Sequence, residues 1–469
     1  MERGGTQGIQ FIVQIVLARL LTPKDYGIIA LIGIFITIAN VFVQSGFSTA
    51  LIQKKNANEE DFSSVFYLSL FVASVLYIIL FFAAPSIANF YNTPQLTLVL
   101  RILSITLFLG AFNSIQNAVV SKRMQFKKLF FSSLGAVIVS GTIGITFAYM
   151  GFGVWALVAQ QLTNQFMITT ILWFTVKWRP KLVFSYKRVR KLFSYGWKLL
   201  VSSLIDSLYM NLRSMIIGKI YNPAMLGFYN RGDQFPQIIV SNINGSIQSV
   251  MLPALASEQD NKKRVKDMVR RSIVTSCFIL FPTMTGLAVI AEPLIRVLLT
   301  DKWLQCVPFL QIFCLSYALW PIHTANLQAI NALGRSDIFL KLEVIKKIMG
   351  LIILGISIYF GIYAIAVGTL LVGIISTFIN AYPNLKLLNY SYKEQLKDIM
   401  PSILLSLLMG TVIYTIKYLY LNEYITLITQ VCMGSILYIF LAKKLKMECY
   451  TYLLKTLKDV LKNRKGVIK

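Results

Sequence analysis

The stretch ARLLTPKDYG, Ala18 to Gly27, returns as GKIYNPAMLG, Gly218 to Gly227. Each reads as a basic residue, an apolar pair, Thr or Asn, Pro, and a Gly four positions after that Pro. Each ends one apolar segment and begins another. A second match supports the first: YMGFGVWALV from Tyr149 and YFGIYAIAVG from Tyr359 place Tyr, Gly and Ala at equivalent positions, 210 residues apart. In both, a glycine-containing connection of only a few residues forces two helices into an antiparallel hairpin. Self-similarity at this period predicts two copies of one unit.

A soluble chain of 469 residues would suggest several domains. Composition overrules that prior, since 56% of the residues are apolar and 14% charged, about half the charge of soluble domains. Apolar runs of about 18 residues or more recur from end to end, each long enough to cross a bilayer. About fourteen spans are predicted: near 6–21, 28–52, 62–84, 97–120, 129–150, 154–176, 197–220, 226–256, 270–291, 305–332, 339–360, 362–382, 402–421 and 424–442. The runs are continuously apolar rather than alternating, which predicts helices and not a barrel. No cleavable signal peptide is apparent, and the first span would act as its own membrane-targeting signal.

The net charge of +27 raises the question of nucleic acid. Position decides against it. Lys and Arg concentrate in alternate connections, Lys122 to Lys128, Lys177 to Lys191, Lys262 to Arg271, Arg335 to Lys347, Lys386 to Lys397 and from Lys443 onward, while 85–96, 151–153 and 361–362 carry almost none. That pattern places both termini and the basic loops in the cytoplasm. The amphipathic tail KKLKMECYTYLLKTLKDVLKNRK is expected against anionic lipid headgroups. Five scattered cysteines (Cys277, Cys306, Cys314, Cys432, Cys449) read as core or lipid-facing thiols, and the single histidine, His323, lies inside a span. Metal sites and Ser–His triads are poorly supported.

The fold class is therefore an all-α polytopic membrane protein. Spans one to six and seven to twelve form two copies of a six-helix unit, parallel because six is even, and two C-terminal helices are extra. The expected organisation is an N-terminal lobe over 1–176, a basic cytoplasmic linker over 177–196, a second lobe over 197–383, the extra pair over 384–442 and the basic tail over 443–469. Two such lobes are what alternating access requires. The alternative is a duplication kept only for packing.

Charged and amide side chains inside spans need a protein or water partner. In span seven, Asp206 and Arg213 stand two turns apart on nearly one helix face, and Asp206 is a candidate for proton or sodium coupling. A static ion pair is the competing reading. Span one carries Gln7, Gln10 and Gln14, span four Asn113, Gln116 and Asn117, span six Gln160, Gln161, Asn164 and Gln165, and span ten His323, Asn326 and Gln328. Singly these suit interhelical hydrogen bonds, and together they suit a hydrated interior able to accommodate sugar hydroxyls. Arg19, Arg101, Arg231 and Arg296 sit towards the outer part of the membrane, where a guanidinium can bind phosphate or simply reach the interface. Arg231 in YNRGDQFPQ, with Asp233 beside it, is the strongest phosphate candidate with Arg213. No catalytic motif appears, and no Walker A loop is present.

The segments LLTPKDYG, ALIQKKNANEEDFSSVFYLSL, LGFYNRGDQFPQ, MLPALASEQDNKKRV and NALGRSDIFLKLEVIKK resemble, in order and over nearly the whole chain, the landmarks of bacterial polysaccharide transporters. These are the O-antigen, colanic-acid and teichuronic-acid type flippases of the multidrug/oligosaccharidyl-lipid/polysaccharide exporter superfamily. The resemblance implies two six-helix bundles in a V, with two further helices. It implies a flippase for undecaprenyl-pyrophosphate-linked oligosaccharide in the bacterial cytoplasmic membrane, driven by an ion gradient of H+ or Na+, with no other cofactor. A polysaccharide polymerase and a chain-length regulator are the implied protein partners. In one departure, Met1 falls almost inside the first helix, which leaves that span of marginal length.

A multidrug or metabolite exporter of the same superfamily would need a firmer acidic cation site than Asp206 alone. A major-facilitator transporter would carry a DRxGRR-type motif where KKNANEEDF stands. A membrane-embedded polymerase or ligase would show a large outer loop with catalytic Arg or His, and the outer loops here are short.

Overall fold

The computed structural model describes residues 2–44, 47–54, 57–455 and 458, and every described element is helical. Two compact units divide the chain, Met1–Phe228 and Tyr229–Lys469. The first holds α1 (Glu2–Leu20), α2 (Pro23–Gln44), α3 (Phe47–Gln53), α4 (Glu59–Phe90), α5 (Gln95–Leu103), α6 (Thr106–Lys122), α7 (Phe126–Tyr149), α8 (Val154–Thr175), α9 (Tyr186–Ile220) and the start of α10 (Pro223–Ala256). The second holds the rest of α10, α11 (Lys262–Val289), α12 (Ala291–Leu299), α13 (Val307–Ala318), α14 (Trp320–Ala332), α15 (Ser336–Ser357), α16 (Ile362–Leu388), α17 (Tyr392–Thr415) and α18 (Glu423–Lys444).

Among the described residues helix lies in every expected span, with residues 45–46 of the span over 28–52 outside the described set. The span over 97–120 is broken between α5 and α6, and the span over 305–332 between α13 and α14. These are the fourth spans of the two halves, so the interruption is repeated. At the first break, Ser104 Oγ donates to Leu100 O at 2.7 Å and Thr106 Oγ1 to Leu103 O at 2.6 Å, hydroxyls competing for helical carbonyls. At the second, Pro321 opens α14 without an N–H to continue the preceding helix. Among the described residues, ten helical stretches are long and apolar enough to cross a membrane. The protein is a multi-pass membrane protein. The four remaining long helices are α1, α8, α9 and α15, which carry too many polar residues to meet the same standard.

The repeated corners meet each other. Thr22 and Asn222 cap the helices that Pro23 and Pro223 open: Asp25 N donates to Thr22 Oγ1 at 3.3 Å and Met225 N to Asn222 Oδ1 at 2.8 Å. A methyl group at Gly27 would lie 1.6 Å from the Pro223 carbonyl oxygen, and one at Gly227 would lie 2.2 Å from the Pro23 carbonyl oxygen. Each glycine admits the other corner's backbone, so α2 and the start of α10 cross closer than any side chain allows. The hairpin repeat has its own requirement: Gly151, Gly153 and Gly361 have φ of +81°, +54° and +99°.

Packing divides the chain after Phe228, later than the expected linker at 177–196, because α9 packs along α2. Gly218 of α9 accepts Leu31 of α2 against its backbone. The linker itself is non-helical over 176–185, with bends at 176 and 182, and α9 begins at Tyr186, eleven residues before the predicted span. Of the predicted tail, the described part through Lys455 includes Cys449, which is buried with Phe278 and Tyr438. The remainder, apart from residue 458, lies outside the described residues. All five cysteines are free thiols, four of them buried.

Two ionic clusters fix the starts of corresponding helices. At α4, Asp61 is fully buried, accepting from Lys54 Nζ at 2.6 Å and Arg188 Nη1 at 3.3 Å, and it closes a capping box with Asn58. Arg188 also pairs with Glu60 at 2.7 Å, and Lys181 with Glu59. Lys181 N and Ser185 N each donate at 3.0 Å to the hydroxyls of Ser63 and Ser64. At α11, Lys266 pairs with Glu394 at 3.1 Å and Arg270 with Asp398 at 2.9 Å, while Tyr390 OH donates to Asp398 at 2.8 Å.

Candidate functional site

Exposure sorts the polar residues that the sequence singles out. Asn113 and Gln116 on α6 are buried, and Gln116 Nε2 donates to Trp178 O at 3.4 Å. Asn164 Nδ2 on α8 donates to Ser140 Oγ on α7 at 3.2 Å. Gln116 thus ties α6 to the segment after α8, and Asn164 ties α8 to α7. Asn117 on α6 is half-buried. On α1, Gln7 and Gln10 are exposed and Gln14 is half-buried. On α8, Gln161 is exposed, with Gln160 and Gln165 half-buried. On α9, Asp206 is exposed and Arg213 half-buried. Among these candidates of the first unit, Gln7, Gln10, Gln161 and Asp206 are exposed, on α1, α8 and α9, whereas Asn117 on α6 is half-buried like Gln14, Gln160, Gln165 and Arg213.

Arg101 is used within the fold. Pro85 in α4 has no N–H to offer the Phe81 carbonyl, and Arg101 Nε donates to that oxygen at 3.1 Å with its guanidinium 4.2 Å from the Phe81 ring centre. α11 shows the same repair. Pro282 leaves the Phe278 carbonyl without its helical donor, and Tyr438 OH of α18 donates to it at 2.8 Å. Arg231 is 5% exposed, bonded to Gln234 Oε1 at 2.6 Å and lying 5.1 Å from the centre of the buried Trp303 ring. One position on, Gly232 brings α10 against the backbone of Cys306 and Leu310. Arg231 therefore helps to seat α10 on the start of α13. Arg296 pairs with Glu292 at 3.2 Å, Glu423 at 3.3 Å and Asp301 at 3.7 Å, a network joined by Lys417 through Glu292 at 2.8 Å. Arg19 is exposed.

In the second unit a polar ladder joins α14, α16 and α17. Asn326, fully buried, donates to Gln395 Oε1 at 2.9 Å and accepts from Asn384 Nδ2 at 2.7 Å and Gln395 Nε2 at 3.2 Å. One turn along, His323 meets Thr377 and Asn380. Beside it, Glu343 and Lys346 of α15 pair at 2.5 Å. Sequence reasoning identifies His323 and Asn326 but misses Thr377, Asn380, Asn384, Gln395, Glu343 and Lys346. The spacing of four between Asn380 and Asn384 was the available signal for one shared helix face. Gln328, half-buried on α14, has an unpartnered Oε1. Among the described residues no group of three or more His, Cys, Asp or Glu could hold a metal ion.

An apolar cavity of about 410 Å³ lies between α11, α17 and α18, lined by residues such as Pro282, Leu287, Met409, Ile413 and Val431. Gln430, 2% exposed, also lines it and keeps Oε1 without a hydrogen-bond partner among the described residues. A second cavity of about 340 Å³ begins at Gln430 and runs to Glu292, Lys417, Tyr420 and Glu423.

Residues 16–308 match the family model described as polysaccharide biosynthesis protein. The succinoglycan biosynthesis transport protein ExoT of Rhizobium meliloti is 25% identical over 67% of this chain and 64% of its own length. The teichuronic acid biosynthesis protein TuaB of Bacillus subtilis is 25% identical over 87% of this chain and 86% of its own length. Among solved structures, lipid II flippase MurJ in an inward closed conformation superposes with a TM-score of 0.77 at 17% identity, covering 95% of this chain and 98% of that one. That likeness establishes a shared fold.

Proposed function

From membership of the polysaccharide biosynthesis protein family, to which the chain belongs, we propose that it moves lipid-linked oligosaccharide units across the bacterial cytoplasmic membrane for surface polysaccharide synthesis. The substrate class is an oligosaccharide on a polyprenyl pyrophosphate such as undecaprenyl pyrophosphate. Sugar and pyrophosphate cannot cross about 30 Å of hydrocarbon unaided, so the protein must provide a hydrated path while the tail remains in an apolar setting.

One observation carries this reading. Among the described residues, the four long helices that fall short of the span standard carry Gln10 and Gln14 on α1, Gln161 and Gln165 on α8, Asp206 and Arg213 on α9, and Lys346 on α15, each exposed or half-buried. Amides and charges at mid-depth belong against water or a polar solute. Arg213 is the guanidinium suited to the pyrophosphate. Asp206 is a coupling group for H+ or Na+. The cavity beside α17 and α18 has the lining a hydrocarbon chain requires and gives the two extra helices a use. The basic connections put both termini in the cytoplasm.

Complementation of a bacterial host lacking its own flippase tests the reading. The wild-type chain should restore surface polysaccharide, and Arg213→Ala and Asp206→Ala should each reduce it by tenfold or more at equal protein abundance. A chain that reaches the membrane yet leaves lipid-linked units on the cytoplasmic side would end the proposal.

A further inference from the structure

Two cavities of the second unit meet at one buried side chain. The apolar cavity between α11, α17 and α18 has a volume of about 410 Å³, and the polar one beyond it about 340 Å³. Gln430 of α18 lines both and is 2% exposed. Its Nε2 donates to the Ile413 carbonyl at 3.0 Å, which fixes the amide: turned over, Oε1 would stand against that carbonyl oxygen. Oε1 is left without a partner among the described residues. The hydroxyls of Thr283 and Ser435 in the apolar cavity do not supply one, because each donates to its own helix, at Ile279 O and Val431 O. A buried amide oxygen in this position calls for a donor from whatever fills the cavities.

The apolar cavity sets the size of that occupant. An engineered cavity of about 150 Å³ holds one benzene, so about 410 Å³ has room for roughly sixteen carbons, one acyl chain and not two. A methyl group at Gly286 would meet only Met409 Cε, at 3.8 Å, so α11 contributes a smooth wall. Val431 and Ile439 of α18 line the cavity and are themselves exposed, which lets a chain enter sideways from hydrocarbon.

The polar cavity sets the head. Among the described residues, Glu292, Lys417 and Glu423 supply its charges, two carboxylates to one ammonium. Lys417 pairs with Glu292 at 2.8 Å, and Glu423 meets Arg296 through Oε1 at 3.3 Å, which leaves its Oε2 to accept from a further cation. An anionic head would add to the acidic excess, whereas a zwitterion offers an ammonium to Glu423 and a phosphate to Lys417. Glu423 and Gln430 are seven residues apart on α18, about 10 Å along its axis. The run of bonds from C2 of glycerol through phosphate to the nitrogen of ethanolamine spans a similar length.

We propose that the paired cavities bind one monoacyl glycerophosphoethanolamine, a single-chain bilayer lipid. The acyl chain fills the apolar cavity, the free glycerol hydroxyl donates to Gln430 Oε1, the phosphate meets Lys417 and the ammonium meets Glu423. A second acyl chain would replace that hydroxyl by an ester and remove the donor. A polyprenyl pyrophosphate matches less well, since the cavity takes only part of its tail and its charge opposes the two carboxylates. The site belongs to the second unit alone, whereas the transport reading gives the pyrophosphate to Arg213 of the first.

Native mass spectrometry of the full chain, delipidated in detergent, tests this with 1-palmitoyl lysophosphatidylethanolamine as the probe. One molecule should bind per chain. The analogue lacking the 2-hydroxyl, the matching lysophosphatidylglycerol and dipalmitoyl phosphatidylethanolamine should each bind several-fold more weakly. Gly286→Leu, which fills the apolar cavity, should abolish binding without lowering the unfolding midpoint, and Val431→Trp at the mouth gives a second reading should the first variant misfold. Gln430→Leu should erase only the preference over the deoxy analogue, and Glu423→Gln only the preference over the glycerol head. No binding of the probe, or binding that survives both Gly286→Leu and Val431→Trp, would overturn the site. Equal affinity for the hydroxyl-bearing and deoxy lipids would remove Gln430 and the monoacyl assignment with it. Displacement of the probe by an equal concentration of farnesyl pyrophosphate would give the cavities to the transported substrate instead. A chain that binds the probe but fails to restore polysaccharide in the flippase-deficient host would lose the transport reading and keep this site.

Discussion

α4 and α11 are the third spans of their halves, and each is held at its start by the segment leaving the sixth span. The charges are reversed. On α4 the helix supplies Glu59, Glu60 and Asp61 and the segment supplies Lys181 and Arg188. On α11 the helix supplies Lys266 and Arg270 and the segment supplies Glu394 and Asp398. Duplicated sequences risk docking each segment on the other copy's helix. Opposite polarity makes that exchange repulsive, base against base or acid against acid, so charge order distinguishes two otherwise similar sites. The clusters differ in depth as well. The Asp61 side chain is fully buried, whereas Glu394 and Arg270 are 51% and 46% exposed.

Depth sets the size of each effect. Asp61→Ala would leave Lys54 and Arg188 facing a buried site without their carboxylate and should cost about 3–5 kcal/mol, the usual penalty for breaking one side of a buried pair. Thermal unfolding in detergent should show a large drop in the midpoint and poor recovery of folded protein. An equal loss for Asp61→Ala and Asp398→Ala would show that burial does not separate the two clusters.

The proline repairs sharpen the same comparison at mid-helix. Arg101→Met keeps an apolar stem but removes the donor to Phe81 O, and a partly exposed charged donor suggests about 1.5 kcal/mol. Tyr438→Phe removes a neutral donor to Phe278 O and should cost about 1 kcal/mol. Amide hydrogen exchange, followed by mass spectrometry, should localise the first loss to α4 and the second to α11. Loss spread evenly across both units would indicate that the carbonyls find other donors.

The sequence made the corners, the hairpin glycines and the all-helical, multi-pass architecture legible, because these depend on local chemistry and on apolar length. Arg101 and Arg231 were harder to read. A lone arginine near a membrane surface suggests phosphate, and only the fold reveals that Pro85 has vacated a carbonyl or that Trp303 stands beneath a guanidinium. The ladder of Asn326, Asn384 and Gln395 was hidden for a related reason: its members lie 58 and 69 residues from Asn326 and meet only when α14, α16 and α17 pack. Lys346 looked like loop charge because it follows Arg335 and Lys341, yet α15 carries it well into the helix.

The smallest effect belongs to the exposed cluster. Asp398→Asn keeps an acceptor for Tyr390 OH and removes only the charge facing Arg270. With Arg270 46% exposed, solvent already screens the pair, so a loss below about 1 kcal/mol is expected, shrinking further in high salt. The informative variant exchanges both pairs, with Lys266→Glu, Arg270→Asp, Glu394→Lys and Asp398→Arg together. This gives the second cluster the polarity of the first while keeping its own pairs opposite. Stability should return to near the wild-type value, since the local attraction is restored. Correct folding yield should fall, because the segment after α16 would then be attracted to the acidic start of α4. If both stability and yield match the wild type, reversed polarity plays no part in keeping the copies apart.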